Sequence, residues 1–175
     1  MPMNQAHDHQ AAFLQALAAL VGEECWGVTG GEGSGSVISL DIGARTLRRR
    51  PIPNPHLSEL VRHYDSAYSL LILGQWRIDA ARKIVSGSHL SNANDGPMVR
   101  GLAAIRGQII TSVSCAGPAY DLRIGFDNDH ALVVHCSAIG LPGDRSYSFG
   151  TPAGHYTVHL DDGLGFEPAR TMPAS

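Results

Sequence analysis

Phe13, Leu14, Leu17, Leu20 and Val21 recur at helical spacing, so the chain is expected to begin with an amphipathic helix over residues 11–21. Asp8 stands where an N-cap is wanted and Gly22 where a helix stops, which leaves residues 1–10 as a polar tail. Beyond Gly22 the period changes from helical to alternating. Residues 25–28 read as a short strand, and in 37–42 Val37, Ser39 and Asp41 alternate with Ile38, Leu40 and Ile42, a half-buried strand. Leu57, Leu60 and Val61 suit a helical turn or two within 56–64, and strands follow over 67–73 and 75–80 around Gly74. Residues 86–96 form a polar linker, after which Pro97 opens a helix ending at Gly107. Strands are expected over 108–115, 120–126, 131–136, 144–149, 154–160 and 164–167, with turns at Asp127-Asn128-Asp129-His130 and Asp161-Asp162-Gly163. Few helices and many consecutive strands give an α+β class, a mainly antiparallel sheet with two short helices.

The two halves of the chain echo each other. Leu17-Ala18-Ala19-Leu20-Val21-Gly22-Glu23 is matched by Leu102-Ala103-Ala104-Ile105-Arg106-Gly107-Gln108, and Ser39-Leu40-Asp41-Ile42-Gly43 by Asp121-Leu122-Arg123-Ile124-Gly125. A third echo pairs Ala67-Tyr68-Ser69 and Gln75-Trp76-Arg77-Ile78-Asp79 with Ser146-Tyr147-Ser148 and His155-Tyr156-Thr157-Val158-His159. A single domain over 11–168 is expected, made of similar units at about 11–85 and 97–168, with 169–175 as a tail.

Composition narrows the function classes. At 175 residues one core suffices, burying about 70% of the unfolded surface. A hydrophobic share of 43% excludes a disordered chain. The net charge of −3 lacks the basic excess of a nucleic-acid surface, so none is expected as partner. Cys25, Cys115 and Cys136 form no CxxC pair and are odd in number, which fits buried thiols in a reducing cytoplasm. No apolar run reaches the roughly 18 residues of a membrane span.

Candidate chemistry is sparse. Gly30-Gly31-Glu32-Gly33-Ser34-Gly35-Ser36 lacks lysine and leads into a strand, so a flexible connection is expected there, not a phosphate loop. No Gly-x-Ser-x-Gly occurs, and Cys136 points away from His135 if both lie on one strand. His155 and His159, on one strand face, stand about 13 Å apart, too far for one metal. No catalytic residue, metal or cofactor is expected. Arg45, Arg48, Arg49 and Arg50 are the main charge cluster, suited to an acidic partner or to guarding a strand edge together with Pro51, Pro53 and Pro55. Arg48, Arg49 and Arg50, with Asn92, Asn94 and Asp95 of the polar linker, are the expected partner contacts.

The layout of Gly35-Ser36-Val37-Ile38-Ser39-Leu40-Asp41-Ile42-Gly43, Gln75-Trp76-Arg77-Ile78, Leu102 to Ile110 and Asp121-Leu122-Arg123-Ile124-Gly125-Phe126 resembles small bacterial proteins that are similar to immunity proteins of toxin systems. The resemblance spans residues 35–158 and carries no catalytic residue with it. It implies a stoichiometric protein binder, possible partner a cognate toxin, that works by surface complementarity. The expected function is therefore protein–protein interaction; the alternative is a small-molecule binder using the seam between the halves.

Overall fold

A computed structural model describes residues 3–136, 144–159 and 163–169, with backbone alone for 3–8. In chain order the elements are α1 (Met3–Ala18), β1 (Glu24–Thr29), β2 (Ile38–Leu47), α2 (Glu59–His63), β3 (Tyr64–Ile72), β4 (Gln75–Ala80), β5 (Lys83–Gly87), α3 (Pro97–Ile105), β6 (Gln108–Ala116), β7 (Asp121–Phe126), β8 (His130–His135), β9 (Arg145–Thr151), β10 (Gly154–His159) and β11 (Gly163–Pro168). The fold is α+β, dominated by an antiparallel sheet.

Alternation drives the strands onto one core. Leu40, Leu70, Trp76, Ile78, Leu122, Ile124, Leu132, Val134, Tyr147 and Phe149 all turn inward and are buried. Phe13, Leu17 and Leu20 of the α1 segment and Met98, Leu102 and Ile105 of α3 close over them in the same cluster. Each fully buried side chain of this size contributes about 1.5–3 kcal/mol of transfer free energy. Phe13 is the aromatic hub, its ring centroid 5.8 Å from Tyr120, 6.3 Å from Phe149 and 5.3 Å from Tyr156. Trp76 satisfies its indole N–H by donating to the Ser36 carbonyl at 2.7 Å.

The strands form a single sheet in the order β11-β10-β9-β3-β2-β1-β6-β7-β8-β4-β5. The β4–β5 hairpin, early in the chain, lies beside β8, whereas the later β9–β11 lies beside β3. Strands β1 and β6 join the two sides through only Glu24↔Ile109 and Cys25↔Gln108. The glycines of the first sequence echo are used reciprocally here. Gly22 (φ 91°) donates its N–H to the Ile110 carbonyl at 2.8 Å, and Gly107 (φ 76°) donates to the Cys25 carbonyl at 2.7 Å. Both φ values lie where only glycine sits without strain. Strand β1 carries a bulge between Cys25 and Gly27, β6 one between Ile110 and Ser112.

Three expectations change. The helix starts at Met3, so most of the expected polar tail is helical and Asp8 lies inside it rather than capping it; Ala, Gln and Met in this stretch favour helix and no glycine interrupts it. Strand β5 (Lys83-Ile84-Val85-Ser86-Gly87) takes in the first two residues of the expected linker, its five residues being too few to give a periodic signal. Strand β2 is interior rather than an edge of the sheet; its end, Arg45, Thr46 and Leu47, runs past β1 and pairs only with β3, and Arg48, Arg49 and Arg50 lie beyond the strand. The Asp161-Asp162 turn lies outside the described residues. Among the described residues no helix is long and apolar enough to cross a membrane.

Candidate functional site: two polar depressions on one sheet face

The residues that alternate with the core positions put two polar depressions on the sheet face opposite α1 and α3. The first, of about 330 Å³, is lined by Asp41, Arg48, Asp65, Ser66, Ser69 and His155 among others. Its floor is a cross-strand row with one residue from each of five neighbouring strands: His155↔Gly150, Gly150↔Ser69, Ser69↔Asp41 and Asp41↔Gly27. The two glycines make room for the others. A Cβ at Gly150 would lie 2.4 Å from Ser69 Oγ and 3.1 Å from His155 Cε1; one at Gly27 would lie 2.6 Å from Asp41 Oδ2.

Asp41 is only 9% exposed. Its Oδ1 accepts a hydrogen bond from Ser66 Oγ at 3.0 Å, and no other hydrogen bond reaches the carboxylate among the described residues. Burial pushes its pKa above the ordinary aspartate value, opposed by the Ser66 hydroxyl and the Arg48 charge. Arg48 is itself engaged: it pairs with Asp65 and donates through Nε to the Tyr64 carbonyl at 3.0 Å.

The second depression, about 310 Å³, is lined by Arg77, Asp79, Arg82, Lys83, Ile84 and Arg123 together with Ala81. Arg77 and Arg123 both register against Val133 of β8, one from each side. Val133 is buried between them, as expected where arginine stems lie along an apolar residue. Asp79 holds both guanidinium groups, taking Arg77 Nε at 2.8 Å and Arg123 Nη1 at 3.2 Å. Burial alone would raise the Asp79 pKa, but the hydrogen bonds and charges of the two arginines outweigh it and hold it below the ordinary value. Arg77 Nη1 also lies 2.6 Å from His135 Nε2, so that nitrogen accepts. Arg82 and Lys83, at the tip of the β4–β5 hairpin, are exposed and without an ion-pair partner among the described residues. Four cations thus surround one carboxylate.

The expected contact residues fall elsewhere. Arg48 lies on the rim of the first depression, and Arg49 and Arg50 are exposed just beyond β2. Asn92 donates to the Gly31 and Gly35 carbonyls at 3.0 and 3.1 Å, Asn94 donates to Glu32 Oε2 at 2.8 Å, and the Asp95 carbonyl accepts from Arg100. Asn92 and Asn94 thus brace the glycine loop, at the opposite end of β2 from the arginines. The cysteines are held toward the thiol form: burial pushes the Cys25 thiol up to about 12 and Cys136 to about 11, and it also raises Cys115. Beneath the β1–β6 seam Leu20, Cys25, Ile105 and Ile110 are fully buried, so side chains fill the space under that pairing. Among the described residues no group of three or more His, Cys, Asp or Glu side chains could hold a metal.

Arg77, Asp79 and Arg123 carry the second depression and were not singled out from the sequence. Their alternation with Trp76, Ile78, Leu122 and Ile124 does place them on the outer face, but only the pairing through β8 brings them together. Comparison with family models, curated proteins and solved structures finds no match for this chain.

Proposed function

We propose that this chain is a protein-binding module whose second depression docks an acidic segment of its partner. The observation that carries this reading is the group Arg77, Arg82, Lys83 and Arg123 around the single carboxylate of Asp79. The chain as a whole is acidic, with a net charge of −3, so a local cationic cup stands out against its own surface. Asp79 and His135 orient the Arg77 fork before any partner arrives, which lowers the ordering cost of a carboxylate contact. Exposed Ile84 adds an apolar contact at the rim. Toxin neutralisation is the concrete form of this role, with the toxin as the acidic partner.

The test compares capture by the wild-type chain with capture by Arg82→Ser/Lys83→Ser, which alters only the exposed hairpin tip, and by Arg77→Gln/Arg123→Gln. The reading expects one stoichiometric acidic protein, lost at high salt and depleted by both double variants. Capture that ignores both variants, or retention of nucleic acid in place of a protein, overturns it. Circular dichroism on each variant separates lost docking from lost folding.

A further inference from the structure

The first depression is built around a carboxylate that the fold compensates only in part, through the Ser66 hydroxyl and the charge of Arg48. Asp41 is nine-tenths buried, its Oδ1 is taken by Ser66, and its Oδ2 has no hydrogen-bond partner among the described residues. Oδ2 is not among the wholly buried polar atoms that lack a partner, so it is open to solvent in the depression, and a carboxylate held by one donor keeps lone pairs for others. The nearby cation, Arg48, is committed to Asp65 and the Tyr64 carbonyl. Glycine at positions 27 and 150 keeps the floor open, because a Cβ at either would run into Asp41, Ser69 or the His155 ring. Ser69 Oγ and the His155 imidazole lean over Gly150 from opposite sides, offering further polar atoms to whatever enters.

We propose that this depression is a binding site for a small organic cation bearing N–H donors, a primary ammonium or guanidinium group that pairs with Asp41 and hydrogen-bonds Ser69. The charge balance favours a cation: the lining has two carboxylates, Asp41 and Asp65, against one guanidinium, Arg48. Two N–H donors match the open lone pairs of Asp41, and a compact headgroup fits about 330 Å³. The site is separate from the cationic cup and stands whether or not the cup docks a protein.

The experiment titrates the full chain with butylammonium and with N-methylguanidinium, using tetramethylammonium as a cation without N–H donors. The readout is the amide shifts of Gly27, Asp41, Ser69 and Gly150 in proton–nitrogen correlation spectra. Saturable shifts at these residues are expected for the two N–H cations, with a dissociation constant on the order of 1 mM for a headgroup alone. Asp41→Asn keeps the shape, removes the charge and should weaken binding at least tenfold; Ser69→Ala should weaken it less. Equal shifts with tetramethylammonium, or unchanged binding in Asp41→Asn, overturns the assignment. A butylammonium shift lost when a basic peptide is added would identify a lysine or arginine side chain as a competing source of the same headgroup. A peptide that leaves the shift intact points to a free amine.

Discussion

The two depressions are laid out alike and charged oppositely. Counting outward from the β1–β6 pairing, one row reads Gly27, Asp41, Ser69, Gly150, His155 and the other Ser112, Gly125, Ala131, Asp79, Ile84, each with one residue per strand. In the first row glycine on β1 makes way for Asp41 on β2; in the second, Ser112 on β6 faces glycine on β7. The acids differ in depth and company. Asp41 is buried with one hydroxyl donor, so its pKa rises, whereas Asp79 is shared by two arginines and its pKa falls. The two rows share a backbone layout but place the acid differently: Asp41 lies beside the glycine of its row, whereas Asp79 lies between Ala131 and Ile84.

The sharpest way to break this comparison is to fill the glycines. Gly27→Ala puts a methyl group 2.6 Å from Asp41 Oδ2 and 2.7 Å from Asp41 Cβ, and the buried side chain has little room to yield. A loss of about 2–3 kcal/mol in urea unfolding is expected. Gly125→Ala meets Ser112 Oγ at 2.4 Å, but Ser112 is exposed and its hydroxyl can rotate into water, so the loss should stay near 0.5–1 kcal/mol. Gly27→Ser/Asp41→Gly copies the second row's arrangement into the first. It should recover about 1 kcal/mol relative to Gly27→Ser alone; simple additivity in that double-mutant cycle would show that the rows are not packed alike.

Much of the local structure was legible because it is written in nearest-neighbour alternation. The strand expected at 37–42 is the start of β2 from Ile38, the one expected at 131–136 is β8 shifted by one residue to His130–His135, and Pro97 does open α3. What stayed hidden is long-range. Alternation assigns Arg77 and Arg123 to a face but says nothing about which strand lies beside which, and only the insertion of β8 between β4 and β7 gathers them. The third sequence echo aligned segments of β3 and β9, which in the sheet are direct neighbours through Leu70↔Phe149 and Ile72↔Tyr147. Charge runs drew attention to Arg48, Arg49 and Arg50, where side chains are adjacent in sequence. The cationic cup is assembled from three strands and one turn, and no window of the sequence contains it.

Acid titration should separate the two aspartates. Between the ordinary aspartate value of 3.8 and the raised value of Asp41, the folded chain holds a proton that the unfolded chain has lost. Its contribution to stability therefore declines as pH rises through that window and is fully lost above it. Asp79 acts in the opposite sense: between its lowered value and 3.8 the unfolded chain holds the extra proton, so stability rises with pH there and is fully present above 3.8. Stability measured by urea unfolding across the acid range should lose its decline in Asp41→Asn and its rise in Asp79→Asn. Identical slopes in the two variants would mean that the environments do not differ as their burial and partners require.

The smallest expected effect concerns the hairpins that close each depression. On the first side the β9–β10 turn ends at Gly154 (φ 150°), and Thr151 Oγ1 ties it by accepting from Ala153 N at 3.2 Å and donating to the Gly154 carbonyl at 3.0 Å. On the second side the β4–β5 turn holds Ala81 at φ 51°, a left-handed conformation that costs a residue with a Cβ about 1–2 kcal/mol. Strain of this kind persists where the surroundings over-determine the backbone, and here it presents Arg82 and Lys83 over the arginine pair. Ala81→Gly should therefore stabilise the fold by about 0.5–1 kcal/mol, the relieved strain exceeding the added freedom of the unfolded chain. It should also loosen the hairpin tip and speed release of the proposed acidic partner without altering the Arg77–Asp79–Arg123 contacts. A more stable variant that holds the partner just as long would assign the strain to the turn alone, and the cup would then owe its charge geometry entirely to the sheet.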